Sequence, residues 1–110
     1  MIKICITYSG RENPKYILLE MSGHANSAPK GEDLVCAAAS AIMVGGMNAL
    51  YNKKQFNLSL NEGYALIKRR DVNVFDERDD HVIETIVTQL KTLRESNPKF
   101  IKIEERNEQL

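Results

Sequence analysis

Residues 34–50 read LVCAAASAIMVGGMNAL, the most apolar stretch in a chain of 110 residues. Ala37, Ala38, Ala39, Ala41 and Ala49 favour helix there. Apolar side chains fall on nearly every helical face, which predicts a helix buried all round rather than an amphipathic surface one. Gly45 and Gly46 each cost about 1 kcal/mol against alanine in a helix interior. Either the helix stops near Val44, or something packs close against its backbone. Met47, Leu50 and Tyr51 continue the apolar spacing and favour close packing.

Strands flank this helix on both sides. Upstream, Ile2, Ile4 and Ile6 alternate with Lys3, Cys5 and Thr7, the period of a half-buried strand. Residues 9–14, SGRENP, are turn chemistry, and residues 16–22 read as a second strand pairing back on the first. Gly23 breaks that run, and residues 25–32, ANSAPKGE, form a small-residue loop into the helix. Downstream, Phe56, Leu58 and Leu60 alternate with Asn57, Ser59 and Asn61 in a third strand. Asn61-Glu62-Gly63 turns the chain into a fourth over residues 64–69. Acids between Asp76 and Asp79 cap a second helix, whose Val82, Ile83, Ile86, Val87, Leu90 and Leu93 make an amphipathic stripe. Ser96-Asn97-Pro98 ends it, residues 100–103 form a last short strand, and the polar tail from Glu104 is expected to fray. The order ββαββαβ predicts an α+β fold: a two-layer α/β sandwich with two helices and a mixed or antiparallel sheet.

Composition narrows the function classes. One domain over residues 1–110 is expected, because chains split only beyond roughly 250 residues. Lys+Arg and Asp+Glu stand at 15 each, so the basic excess of a nucleic-acid reader is missing and direct RNA binding is not expected. Lys68-Arg69-Arg70 is followed by Asp71, Asp76, Glu77, Asp79 and Asp80, which reads as a solvated mixed-charge surface. No apolar run approaches the roughly 18 residues of a membrane span. The N-terminus lacks a signal peptide's apolar run, so a cytoplasmic location is expected.

His24 follows the second strand and Cys36 lies in the first turn of the helix, with Asp33 as N-cap. A loop that folds back brings imidazole and thiol together. Unpaired N–H groups and the helix dipole favour a thiolate there. The dipole supplies only about 0.3–1 kcal/mol, too little for a thiol of ordinary acidity, so an adjacent imidazolium is the necessary second element. Ser40, one turn beyond Cys36, is placed to hydrogen-bond the sulfur or to bond back to the Cys36 carbonyl. Each residue also has a plain structural reading: Cys36 as a small core residue, His24 as a polar loop residue, Asp33 as a simple cap. Structural zinc needs four ligands. Beyond this pair only Cys5, His81 and carboxylates remain, without ligand spacing, so neither a metal nor another cofactor is expected.

Gly23-His24-Ala25, then Gly31, Asp33 and Val35-Cys36-Ala37-Ala38-Ala39-Ser40-Ala41, with Gly45 and Asn48 beyond, resemble the ribosomal-processing cysteine proteases called Prp. The resemblance implies a small α/β sandwich that forms homodimers and carries a mobile loop between its two catalytic residues. It implies a nucleophile at Cys36, a catalytic histidine at His24, and supporting roles for Gly23, Gly31, Asp33 and Ser40. The implied activity removes a short N-terminal extension from the precursor of large-subunit ribosomal protein twenty-seven. The alternative is a non-catalytic ribosome-associated binding module that keeps Cys36 and His24 for packing.

Overall fold

In a computed structural model, which describes residues 1–29 and 33–108, the isoleucine alternation forms β1 (Ile2–Ser9). Ile2, Ile4 and Ile6 are buried, while Lys3 between them faces solvent. β2 (Lys15–Gly23) returns antiparallel, with Ile4 opposite Met21 and Ile6 opposite Leu19. The hairpin of β3 (Phe56–Asn61) and β4 (Tyr64–Arg69) joins the other side of β2 through β4. β5 (Ile101–Asn107) pairs parallel with β1, giving a five-stranded mixed sheet in the order β3-β4-β2-β1-β5. α1 (Leu34–Ala49) and α2 (Glu77–Ser96) contribute to the same core as the isoleucines. This is the α+β arrangement that the ββαββαβ pattern predicts. Among the described residues no helix is long and apolar enough to cross a membrane.

Three expectations are corrected. The polar tail does not fray at Glu104: β5 continues to Asn107, because Glu104, Glu105 and Arg106 hydrogen-bond along β1 through their backbones whatever their side chains. Nor is α1 buried all round. Its buried residues are Val35, Ala39, Met43 and Met47, a stripe at four-residue spacing, and Leu34 is 80% exposed. In a two-layer fold the helix's outer face meets water, and alanines lose little by standing there. Finally, the 68–70 run is not wholly a solvated surface. Arg69 is buried and reaches Asp80 on α2 at 2.8 Å, the Tyr16 carbonyl at 2.8 Å and the Val74 carbonyl at 2.8 Å.

The glycine pair in α1 separates cleanly. A Cβ on Gly46 would collide with the Ile86 side chain of α2, whereas one on Gly45 meets nothing within 4 Å. Close packing therefore explains Gly46 and leaves Gly45 unexplained by space. Gly45→Ala is expected to stabilise the fold by about 0.5–1 kcal/mol through helix propensity. Gly46→Ala is expected to destabilise it, since overpacking a tight contact costs about 1–3 kcal/mol. Urea unfolding of both variants checks the pair, and equal effects would refute the assignment of the close contact to Gly46 alone.

β3 lies at the sheet edge. Phe56 is buried there, but Leu58 and Leu60, on the same face, are left partly uncovered. That uncovered apolar edge leads to the end of the sheet where β2 finishes and α1 begins.

Candidate active site

β2 ends at Gly23, with φ +91°. A side chain there would run into the Met1 carbonyl oxygen, so only glycine lets the chain leave the sheet at this point. His24 follows, exposed at the mouth of two cavities that it shares with Cys36. Ala25 turns inward and is buried, and its N–H donates to Cys36 Sγ at 3.1 Å. Asn26 takes a positive φ of 56°, a conformation asparagine tolerates better than most residues.

Asp33 fastens the other end of the loop. Its carboxylate accepts from the Cys36 N–H at 3.0 Å, the Ser27 N–H at 3.0 Å and the Ser27 hydroxyl at 2.5 Å. The Ser27 hydroxyl, then the backbone N–H of Cys36, hold the Asp33 carboxyl well below the usual carboxylate range. Its capping role as an anion is therefore present in full above about pH 4 and is lost only as pH falls through its lowered folded value. Asp33 is thus both the N-cap of α1 and a clip on the loop, and it makes no hydrogen bond to His24.

The helix-start donors near Cys36 are already committed. Asp33 takes the Cys36 N–H through its side chain and the Ala37 N–H through its carbonyl. They are therefore not free to receive an oxyanion. Ala25 instead offers a donor at the sulfur itself. Ser40 makes neither of the hydrogen bonds its spacing allows among the described residues, and lines the cavity one turn beyond Cys36. Gly31 lies outside the described residues.

Two cavities share part of their lining. One, of about 220 Å³, is lined by Met21, Met43, Leu60 and Ala65 together with Ser40, Asn61 and Tyr64. The other, of about 390 Å³, is lined by Asn26, Ala28, Asp33 and Ala37. His24, Cys36 and Glu62 border both. A larger hollow of about 500 Å³ between α1 and α2 is lined by Gly45, Ala49 and Ile86 among others, and holds no titratable group. Among the described residues no group of three or more His, Cys, Asp or Glu gathers to hold a metal ion.

Sequence reasoning brings Gly23, His24, Asp33, Cys36 and Ser40 to one place, but it misses Ser27, the Ala25 N–H and the β3–β4 turn. Ser27 is a signal of sorts, a hydroxyl in a loop ahead of an aspartate cap. A backbone donor and a turn distant in sequence leave none.

The chain as a whole is similar to known proteins. The family described as cysteine protease Prp matches residues 1–102. A ribosomal processing cysteine protease Prp of Staphylococcus aureus is 29% identical over 107 residues, covering 94% of this chain and 97% of that one. The corresponding protein of Mycoplasma pneumoniae is 32% identical over 89 residues, 79% of this chain and 85% of that one. The crystal structure of the S. aureus protease with a covalently linked product peptide superposes with a TM-score of 0.79 at 27% identity, covering 96% of this chain and all of that one. With the fold, the loop and the family match running over nearly the whole chain, the protein belongs to the cysteine protease Prp family.

Proposed function

We propose that this protease uses Cys36 as nucleophile and His24 as acid and base, to remove the N-terminal extension of large-subunit ribosomal protein twenty-seven during ribosome assembly. The observation that carries the chemistry is that Cys36 and His24 line the same two cavities, with the Ala25 N–H reaching Sγ. The substrate assignment rests on the family resemblance and on the ribosomal processing named for the relatives. The same resemblance supports a single protease domain that works in the cytoplasm as a homodimer.

In this reading the Cys36 thiolate attacks the scissile carbonyl carbon and His24 donates its proton to the leaving amine. A thioester to Cys36 remains. Water then attacks, His24 takes its proton, and the C–S bond breaks to release the carboxylate and restore the thiolate. The Ala25 N–H donates to the sulfur and supports its negative charge before attack. The cavity whose lining includes Met21, Met43 and Leu60 takes a hydrophobic side chain beside the scissile bond. The uncovered β3 edge, with Leu58 and Leu60, offers backbone and apolar surface to an extended peptide.

Intact-mass analysis tests this directly. The protein, mixed with the ribosomal protein precursor from the same organism, is expected to release one N-terminal piece, and Cys36→Ala is expected to release none. Cleavage that survives Cys36→Ala removes the nucleophile assignment. Absence of cleavage by either folded protein overturns the substrate assignment, and thiol labelling of Cys36 then separates another substrate from a non-catalytic module.

A further inference from the structure

His24 projects from the end of β2 with its ring exposed, and among the described residues it makes no hydrogen bond. Among the described residues, packing and not a polar partner bears on its orientation. The turn between β3 and β4 lies directly against it. A Cβ built on Gly63 would stand 2.7 Å from His24 Nε2, 3.2 Å from Cε1 and 3.5 Å from Cδ2. The Nε2 edge of the imidazole thus rests on the bare Cα of Gly63. The two elements are also tied through the backbone, since the Gly23 N–H donates to the Gly63 carbonyl at 2.9 Å. The residue before the histidine is bonded to the residue that supports it.

We propose that Gly63 is a positioning residue: the β3–β4 turn is the seat of the catalytic imidazole, and only glycine leaves room for the ring. The proposal rests on the assignment of His24 and Cys36 as the reacting pair. A methyl at 2.7 Å from Nε2 cannot be accommodated in place. The turn is held by the β3–β4 ladder on both sides, with Asn61 opposite Tyr64. The part that yields is the imidazole, which rotates off the turn and out of register with Cys36. A misplacement of about 1 Å costs on the order of 10²-fold in rate.

Gly63 also has φ +70°, so any substitution strains the backbone as well. Gly10 separates the two effects. It lies in the β1–β2 turn with φ +97°, and its Cβ position meets only Asn13 and Pro14. Asparagine at position 63 separates them again, because it tolerates positive φ but carries a Cβ.

The experiment measures iodoacetamide alkylation of Cys36 against pH, with peptide cleavage alongside, for the native protein, Gly63→Ala, Gly63→Asn, Gly10→Ala and His24→Ala. Among the described residues, the titratable groups that border the cavities with His24 are Cys36, Asp33, Glu62 and Tyr64, and all remain in the glycine variants. Gly63→Ala and Gly63→Asn are expected to lose about 10²-fold in cleavage and to take on the alkylation profile of His24→Ala. Gly10→Ala is expected to keep the native rate and profile. If His24→Ala changes the profile but either folded Gly63 variant keeps the native one, the seat assigned to Gly63 is wrong. If His24→Ala itself leaves the profile unchanged, the underlying pair fails instead. A Gly10→Ala loss equal to that of Gly63→Ala would assign the effect to turn strain and overturn the proposal.

Discussion

His24→Ala is expected to slow peptide cleavage by about 10²–10⁴-fold, the range over which a positioned acid–base group contributes. The fold should survive. The side chain is exposed, carries no hydrogen bond among the described residues and leaves no buried partner orphaned when it is removed. Surface changes of this kind stay within about 0.5 kcal/mol of stability. Activity and stability therefore separate in this variant, which makes it more informative than a core substitution. Cys36 alkylation near neutral pH is expected to slow with it, because among the described residues the helix start and the Ala25 N–H are then what supports negative charge on sulfur. The observation that refutes the role is a His24→Ala protein that labels and cleaves at native rates. A native Cys36 inert to labelling at every pH short of unfolding would point instead to a thiol kept for packing, and with it to the binding-module alternative.

How far the sequence carried these conclusions differs between fold and site, for physical reasons. Period-two isoleucines and the stripe on α2 are local signals: β1 begins at Ile2 as they predict, and the N-cap of α2 is Asp76, the first of the acids between 76 and 79. β5 runs past Ile103 although its further residues are charged, because side-chain polarity is a poor guide where a strand is held by backbone pairing with β1. α1 reads as fully buried because alanine favours helix interior and surface alike, so an alanine-rich segment hides which face is the core. At the site, Gly23, His24, Asp33 and Cys36 lie close in sequence and their meeting follows from one loop. Gly63 belongs to another hairpin, and its contact with His24 follows from the β2–β4 pairing, which no local pattern encodes. Arg69 failed to announce its burial for a similar reason. An arginine among charged neighbours looks solvated until a partner arrives from a distant helix.

That partner makes Arg69→Leu the substitution with the largest expected cost in stability, about 3–5 kcal/mol, against a total of about 5–15 kcal/mol for a domain. The Arg69 side chain is 3% exposed and the Asp80 side chain 8%, and the two are paired at 2.8 Å. Asp80 Oδ1 also accepts from the Tyr16 N–H at 2.9 Å, while Oδ2 is buried without a partner among the described residues. Leucine at 69 therefore strands a carboxylate that already has one unsatisfied oxygen. It also frees the carbonyls of Tyr16 and Val74, which Arg69 now serves. Because most of the penalty is an uncompensated charge, Asp80→Asn added to Arg69→Leu is expected to recover part of it. The pH dependence gives an independent check. Burial raises the Asp80 carboxyl above the ordinary range, against the opposing pull of the Tyr16 N–H and Arg69. A carboxyl raised in the fold holds its proton more tightly than in the unfolded chain, so its ionisation erodes stability as pH rises from about 4 through the folded value. Removing Arg69 raises it further and deepens that erosion. Urea unfolding is then expected to show a gap between the native protein and Arg69→Leu that is widest at about pH 7 and narrows as pH falls through the folded value, because a protonated Asp80 needs no counter-charge. A gap independent of pH would mean that the carbonyl bonds, and not the buried charge, are what Arg69 sustains. A single variant as stable as the native protein would show that water reaches Asp80 and that the pair is not closed off from solvent.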